Sequence, residues 1–294
     1  MTIRKSQQDL SCRLFLCLLF ASSTCKNRFR HLSFVRLYGF PENKNRNHYI
    51  FADMTIGRSM EPISDNLLNY SLGEGVEAFS TMRDAQLPYH VICGHQVHDV
   101  RVAIIDRPDM TREDLEGYDA FITNLKGCAI GVRTADCIPV LLYDPLHEAV
   151  AAVHSGWKGT VRKIFLHTIL AMHDTFGTNA SDLSAMIGPG ISRRSFQVGE
   201  EVVEMFRESG FPMDEIWQYD GEPMPGTMQG GHHIDLIQAN RWLLEGAGVR
   251  PENIHSCDIC TYEDRRFYSA RREGTKCGRI INSIRIRCHI SQIS

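Results

Sequence analysis

The stretch Ala149-Val150-Ala151-Ala152-Val153-His154-Ser155-Gly156-Trp157-Lys158-Gly159-Thr160 decides the fold. Ala149–His154 reads as a strand and Ser155–Thr160 as a glycine-containing loop. Beyond it, Val161, Ile164, Phe165, Thr168, Ile169 and Met172 recur at helical spacing on one face. That helix is predicted to open at Thr160 and to close near Gly177. Outward from this unit, Arg101–Ile105, Ala129–Thr134, Val140–Tyr143, Ser184–Ile187, Phe267–Ala270 and Arg279–Ile286 also read as strands. Further helices are predicted over Glu200–Ser209 and Asp235–Ala247, the latter with Asp235 as N-cap and Gly248 as stop. Strands in clusters, set apart from the helices rather than alternating with them, predict an α+β fold and not a doubly wound sheet.

The 294 residues are 43% hydrophobic and 23% charged, which argues against wholesale disorder. A net charge of −3 hides a split. Residues 1–60 carry ten Lys/Arg against three Asp/Glu, whereas residues 61–294 carry 22 against 32. The acidic majority argues against nucleic-acid binding. No apolar run reaches the ~18 residues that a membrane-spanning helix needs. Three of the ten cysteines lie in the basic segment, and the other seven sit in or beside apolar runs, unlike a disulfide framework. A reducing compartment, the cytoplasm, is the expectation.

Residues 1–60 form a basic leader that loosely imitates a signal peptide, but Arg13 abuts an apolar stretch of only eight residues, Leu14–Ala21. The preferred reading is a disordered segment or an artefact of start-site choice, with translation beginning at Met54 or Met60. Export is the alternative. No repeat or linker interrupts residues 75–290, so residues 61–294 are expected to form one domain.

The densest chemistry lies in three short segments. They are Gly94-His95-Gln96-Val97-His98, Arg133-Thr134-Ala135-Asp136-Cys137-Ile138-Pro139 and the His154–Thr160 stretch. A His from the first (His95 or His98), Cys137 and His154 would make a three-ligand zinc site with an open position, the catalytic rather than the structural pattern. Cys257-x-x-Cys260 is a single pair and reads as two core thiols. After His154, backbone N–H groups, the helix dipole and Lys158 are expected to converge as an anion cradle. Residues 265–294 hold eight Lys/Arg against one acid, Glu273; Arg271 or Arg272 is the choice for a ligand contact, Arg271 first. Gly188-Pro189-Gly190 reads as a tight turn lining the pocket.

Gln96-Val97-His98, Ala135-Asp136-Cys137-Ile138-Pro139 and Ala151-Ala152-Val153-His154-Ser155-Gly156-Trp157-Lys158-Gly159 resemble the central motifs of the YfiH-like family. Ile187–Ile191, Val198–Val202, Ile234-Asp235-Leu236, Cys260-Thr261 and Phe267–Arg272 resemble the rest, in order, across residues 77–286. The family was formerly labelled multicopper polyphenol oxidase or laccase-domain proteins and is now regarded as purine nucleoside phosphorylases. The resemblance implies a single catalytic domain, an α+β layered sandwich of mixed sheets flanked by helices. It implies zinc on His98, Cys137 and His154, and it settles His98 over His95. It further implies phosphorolysis of adenosine, inosine, guanosine and methylthioadenosine, with adenosine deaminase activity, and so purine nucleosides and phosphate as partners of a monomer or small homo-oligomer. Two departures stand out. The chain between Thr81 and Gln96 is shorter than in many relatives, and Lys158 replaces an Arg, a point charge in place of a fork.

On this reading Cys137 and His154 are catalytic as well as metal-binding, and Lys158, Arg271 and Gln96 contact substrate and phosphate. Asp136 is the candidate acid for the leaving purine, with a turn-forming role weighed equally. Copper is the other metal such a donor set accepts. A copper-dependent polyphenol oxidase is disfavoured, because thirteen histidines include no His-x-His pair. A metal-free Cys137–His154 thiol hydrolase acting on cell-wall peptides is the stronger rival. A nucleotide-sensing module without turnover is the non-enzyme alternative.

Overall fold

The computed structural model describes residues 66–224 and 226–288, and the leader reading falls outside them. The chain runs β1 (Leu67–Tyr70), β2 (Val76–Thr81), β3 (Val102–Ile104), β4 (Ala120–Thr123), β5 (Ile130–Thr134), β6 (Ile138–Asp144) and β7 (Ala149–Ser155). Then come α1 (Trp157–Val161), α2 (Ile164–Phe176), β8 (Ser184–Ile187), β9 (Gln197–Val198), α3 (Glu200–Glu208) and α4 (Met213–Ile216). The rest comprises β10 (Trp217–Tyr219), β11 (His232–Ile234), α5 (Leu236–Gly246), β12 (Ile254–Ser256), α6 (Ala270–Glu273) and β13 (Ile280–Ile286).

Three sheets result. A mixed six-stranded sheet has the order β12-β8-β6-β7-β4-β3, an antiparallel four-stranded sheet has β1-β2-β13-β5, and a small antiparallel sheet has β10-β11-β9. The centre of the large sheet explains the layering. Along β6, Val140 and Leu142 belong to one core and Leu141 and Tyr143 to another; along β7, Ala151 and Val153 face the first, Val150 and Ala152 the second. Side chains alternate across a strand, so a strand with no polar alternate must be covered on both faces. Helices α2, α3 and α5 cover one face through Phe165, Phe206 and Leu243. The four-stranded sheet covers the other through Ile130, Val132, Ile284 and Ile286. This is an α+β layered sandwich, as expected.

Two expectations need correction. The helix predicted to open at Thr160 instead starts directly at Trp157, with Gly156 as N-cap, so no loop separates β7 from α1. It breaks at Lys163, which takes the left-handed conformation (φ 58°) and starts α2 afresh. Phe267–Ala270 is not a strand. Phe267 is a fully buried anchor, and Ser269 caps α6 by accepting the Arg272 N–H at 3.2 Å. An apolar pair flanked by Ser and Arg can serve either purpose, and burial of one ring suffices here. Asp235 caps α5 as expected, accepting the Gln238 N–H at 2.9 Å.

No helix among the described residues is long and apolar enough to cross a membrane. The doubly covered strands predict a steep cost of truncation. Leu142→Ala removes a fully buried side chain of β6 and should lower stability by about 2–5 kcal/mol, read from the urea midpoint.

Candidate metal centre

Three segments that are distant in sequence meet at one end of the large sheet. His154 lies near the end of β7, where the antiparallel register sets it opposite Pro139 and Ser155 opposite Ile138. That register carries Cys137, one residue before β6, to the side of Gly156. His98 comes from a loop and holds a left-handed backbone (φ 63°). One ligand atom from each of His98, Cys137 and His154 lies within 4.8 Å of the others, and His98 Nε2 is 3.7 Å from Cys137 Sγ. His95, by contrast, is exposed and paired with Glu116 at 2.6 Å.

Asp119, which the sequence reading missed, organises this meeting. Its carboxylate is fully buried and accepts four hydrogen bonds. The donors are the N–H groups of Val97 (3.0 Å), His98 (2.9 Å) and Asp99 (2.9 Å) and Nδ1 of His154 (2.7 Å). The first three fold the His98 loop around the carboxylate and hold its strained turn. The fourth fixes the His154 tautomer and leaves Nε2 free to ligate, the outer-shell arrangement common for metal-bound histidines. Burial alone would raise the Asp119 carboxyl; the His154 bond and the backbone donors outweigh it and hold the group below the usual carboxylate range. The only trace of this residue in sequence is an acid directly before the apolar run Ala120–Ile122.

The electrostatics favour the deprotonated ligand that a metal needs. Burial would raise the Cys137 thiol, but the charge and hydrogen bonds of His154, with those of His98, bring it down to about 6. His154 moves the other way. Burial opposes its protonation, and the Cys137 thiolate and Asp119 overcome this and push it up to about 9. A cation in the site would take over the role of that proton.

The donor set fits such an ion. Tetrahedral zinc with Cys and His ligands separates neighbouring donor atoms by about 3.3–3.6 Å, so the present cluster needs only slight contraction. Its exposure is graded, with His154 buried, Cys137 half-buried and His98 exposed, so one side stays open. An open side is the mark of a catalytic centre.

The remaining sequence candidates fall into two groups. Lys158 is exposed on α1, two residues beyond Gly156, with its ammonium 5.5 Å from the centre of the Trp157 ring. Arg271 is exposed, its guanidinium donating to the Gln197 carbonyl at 2.9 Å and lying over Phe196. Arg272 is committed to the carbonyls of Thr261, Tyr262 and Phe267. Gln96 braces a neighbouring strand: its amide donates to the Arg133 carbonyl at 3.0 Å and accepts the Arg133 N–H at 2.8 Å. Asp136 is buried with φ 88°, and both its oxygens are engaged, by the Thr261 hydroxyl at 2.7 Å and the Arg271 N–H at 2.6 Å. Gly188-Pro189-Gly190 is not the tight turn anticipated: it carries on from β8 with a bend at Pro189, the Gly188 N–H on the Pro139 carbonyl and the Gly190 N–H on the Ile259 carbonyl, so each glycine is held by a neighbouring segment. Cys257 and Cys260 are free thiols, both half-buried rather than core residues as expected: Cys257 packs against the second core, and Cys260 accepts the Ser192 N–H at 3.3 Å.

Gly156 has ordinary backbone angles, yet a Cβ there would lie 2.9 Å from His98 Cδ2 and 3.0 Å from Cys137 Sγ. Gly156→Ala should therefore keep the fold, by circular dichroism, and lose stoichiometric metal, by elemental analysis. Asp119→Asn should weaken metal affinity by roughly 10–100-fold in a chelator competition.

Comparison with known proteins agrees with this architecture. A family model described as multi-copper polyphenol oxidoreductase laccase matches residues 74–287. A purine nucleoside phosphorylase from Bacteroides thetaiotaomicron is 42% identical over 209 residues, covering 69% of this chain and 75% of that protein. Adenosine deaminase RL5, from an unknown prokaryotic organism, is 39% identical over 201 residues, covering 66% and 74%. Among solved structures, the Bacillus licheniformis hypothetical protein YfiH superposes with a TM-score of 0.68 at 23% identity, covering 76% of this chain and 98% of that one. The chain belongs to the YfiH-like, laccase-domain family whose relatives are named purine nucleoside phosphorylase.

Proposed function

We propose that the protein is a zinc-dependent purine nucleoside phosphorylase, taking adenosine, inosine, guanosine and methylthioadenosine with phosphate to base and ribose 1-phosphate, with adenosine deaminase as an accompanying activity. The observation that carries this reading is the convergence of His98, Cys137 and His154 on one open-sided point, with Asp119 behind His154. The names of the relatives supply the reaction class.

His98, Cys137 and His154 would hold the metal, which when bound supplies a Lewis acid and a lowered water pKa, as a deaminase requires. Lys158 and Arg271 supply positive charge for the phosphate. Arg271 enters this role with its backbone pinned to Asp136 and its guanidinium steadied on the Gln197 carbonyl. Of the two roles open to Asp136, the turn role is the better supported. Its two oxygens already accept the Thr261 hydroxyl and the Arg271 N–H, and its φ of 88° is that of a turn residue. Gln96, with both ends of its amide on Arg133, holds the His98 loop in register.

The thiol-hydrolase alternative is less well supported. A Cys–His nucleophile needs one base, and the third convergent side chain, His98, would have no task. Copper is the other metal for which these ligands are suited.

Incubation with inosine, with and without phosphate, tests the proposal. Hypoxanthine should appear only with phosphate, and Cys137→Ala should abolish it, whereas His95→Ala should leave the rate nearly unchanged. Hypoxanthine released equally without phosphate would refute the phosphorylase assignment, and no release from zinc-loaded protein would turn attention to adenosine deamination.

A further inference from the structure

A cavity of about 440 Å³ is lined by residues none of which is a candidate metal ligand. Its volume is within the roughly 300–1,000 Å³ of small-molecule sites. One wall is the outer face of β5. Residues 91–93 run along that strand, with the Ile92 N–H on the Ala129 carbonyl and the Gly131 N–H on the Ile92 carbonyl, both at 2.9 Å. Gly131 makes room for them, since a Cβ there would press on Val91 Cγ1 and lie 3.5 Å from Cys93 Sγ. Arg133, two residues on, shares the face of Gly131 and so stands beside Cys93. Arg112 lines the same cavity from the loop after β3.

Both arginines are exposed, and their guanidinium groups have no hydrogen-bond or ion-pair partner among the described residues. Their charges converge: burial pushes the Cys93 thiol up to about 12, and Arg133 and Arg112 both act against that rise. The acid in the lining, Asp109, points largely to solvent and is paired with Arg107 at 3.3 Å. Two like charges that face one cavity repel until an anion lies between them. Their planar forks match the oxygens of a phosphate or carboxylate, and two of them match a dianion best. The floor is apolar, from Val91, Met110 and Ile281, and gives a bare inorganic ion nothing to contact.

We propose that this cavity binds a phosphate monoester with an apolar body, the phosphate between Arg112 and Arg133 and the body against Val91, Met110 and Ile281. The site is separate from the metal centre but mechanically close to it, because Gln96 braces the backbone of Arg133 from the loop that carries His98. The proposal does not depend on the reaction assigned above.

Calorimetric titration of the full chain with phenyl phosphate, benzoate and inorganic phosphate tests it. Phenyl phosphate should bind about tenfold or more tightly than either other probe, and Arg112→Gln and Arg133→Gln should each weaken it by about tenfold or more, the worth of a charge-assisted hydrogen bond. Cys137→Ala should leave this binding unchanged. Binding that survives both arginine substitutions, or disappears in Cys137→Ala, would overturn the proposal by moving the phosphate elsewhere. Benzoate binding as tightly as phenyl phosphate would overturn the choice of a phosphate, and absence of heat from all three probes would overturn the site.

Discussion

The carboxylate of Asp119 is the constraint on which the centre depends. It is buried without a Lys or Arg partner among the described residues, and directed N–H donors balance its charge: three backbone amides of the His98 loop and the ring of His154. A buried anion left unsatisfied would cost several kcal/mol. Satisfying it forces residues 97–99 to wrap around it, which is what holds His98 in a conformation that non-glycine residues rarely adopt. The loop and the strand are thereby locked in one geometry by the same two oxygens.

A second constraint makes the first usable. Strands β6 and β7 are covered on both faces, so their register cannot slip by one residue without exchanging the two cores. That register sets Cys137 beside Gly156, and the missing Cβ of Gly156 lets the thiol and His98 approach. Behind the same turn, Ser155 donates to the Asn240 side chain at 2.7 Å and shares a hydrogen bond with Thr160 at 2.9 Å, tying β7, α1 and α5 together. A turn from strand to helix with no intervening loop is stiff for this reason. Stiffness is what a three-ligand centre with one open side requires.

The candidate ligands Cys137 and His154 were legible in sequence because they sit in short segments beside apolar strands, whereas the choice of His98 over His95 came from the family resemblance. Strands β3, β5, β6, β7, β8 and β13 were legible from β-prone runs, and α5 from its Asp235 cap, whereas β1, β2, β4 and the short strands β9 to β12 were not read from sequence. Asp119 was not legible, because an acid before an apolar run is ordinary until its donors are known, and those donors lie 20–22 residues before it and 35 after it. Phe267–Ala270 misled because apolar residues that bury one ring and those that pair as a strand look alike over four positions. The helix break at Lys163 likewise has no glycine or proline to announce it. The hydrogen bonds of Asp136 to Thr261 and Arg271, and of Gln96 to the Arg133 backbone, were likewise not legible, because their partners are distant in sequence.

Local pattern alone determined the α+β class and marked Cys137 and His154 as candidate ligands. These follow from side-chain type and period, which are properties of neighbouring residues. Tertiary structure decided what lies between distant segments: the Asp119 carboxylate shared by the His98 loop and His154, and the two arginines, 21 residues apart in sequence, that face one cavity. Such arrangements depend on three-dimensional distance and on the energetic penalty for leaving a buried or crowded charge unanswered, and neither is encoded in the order of adjacent residues.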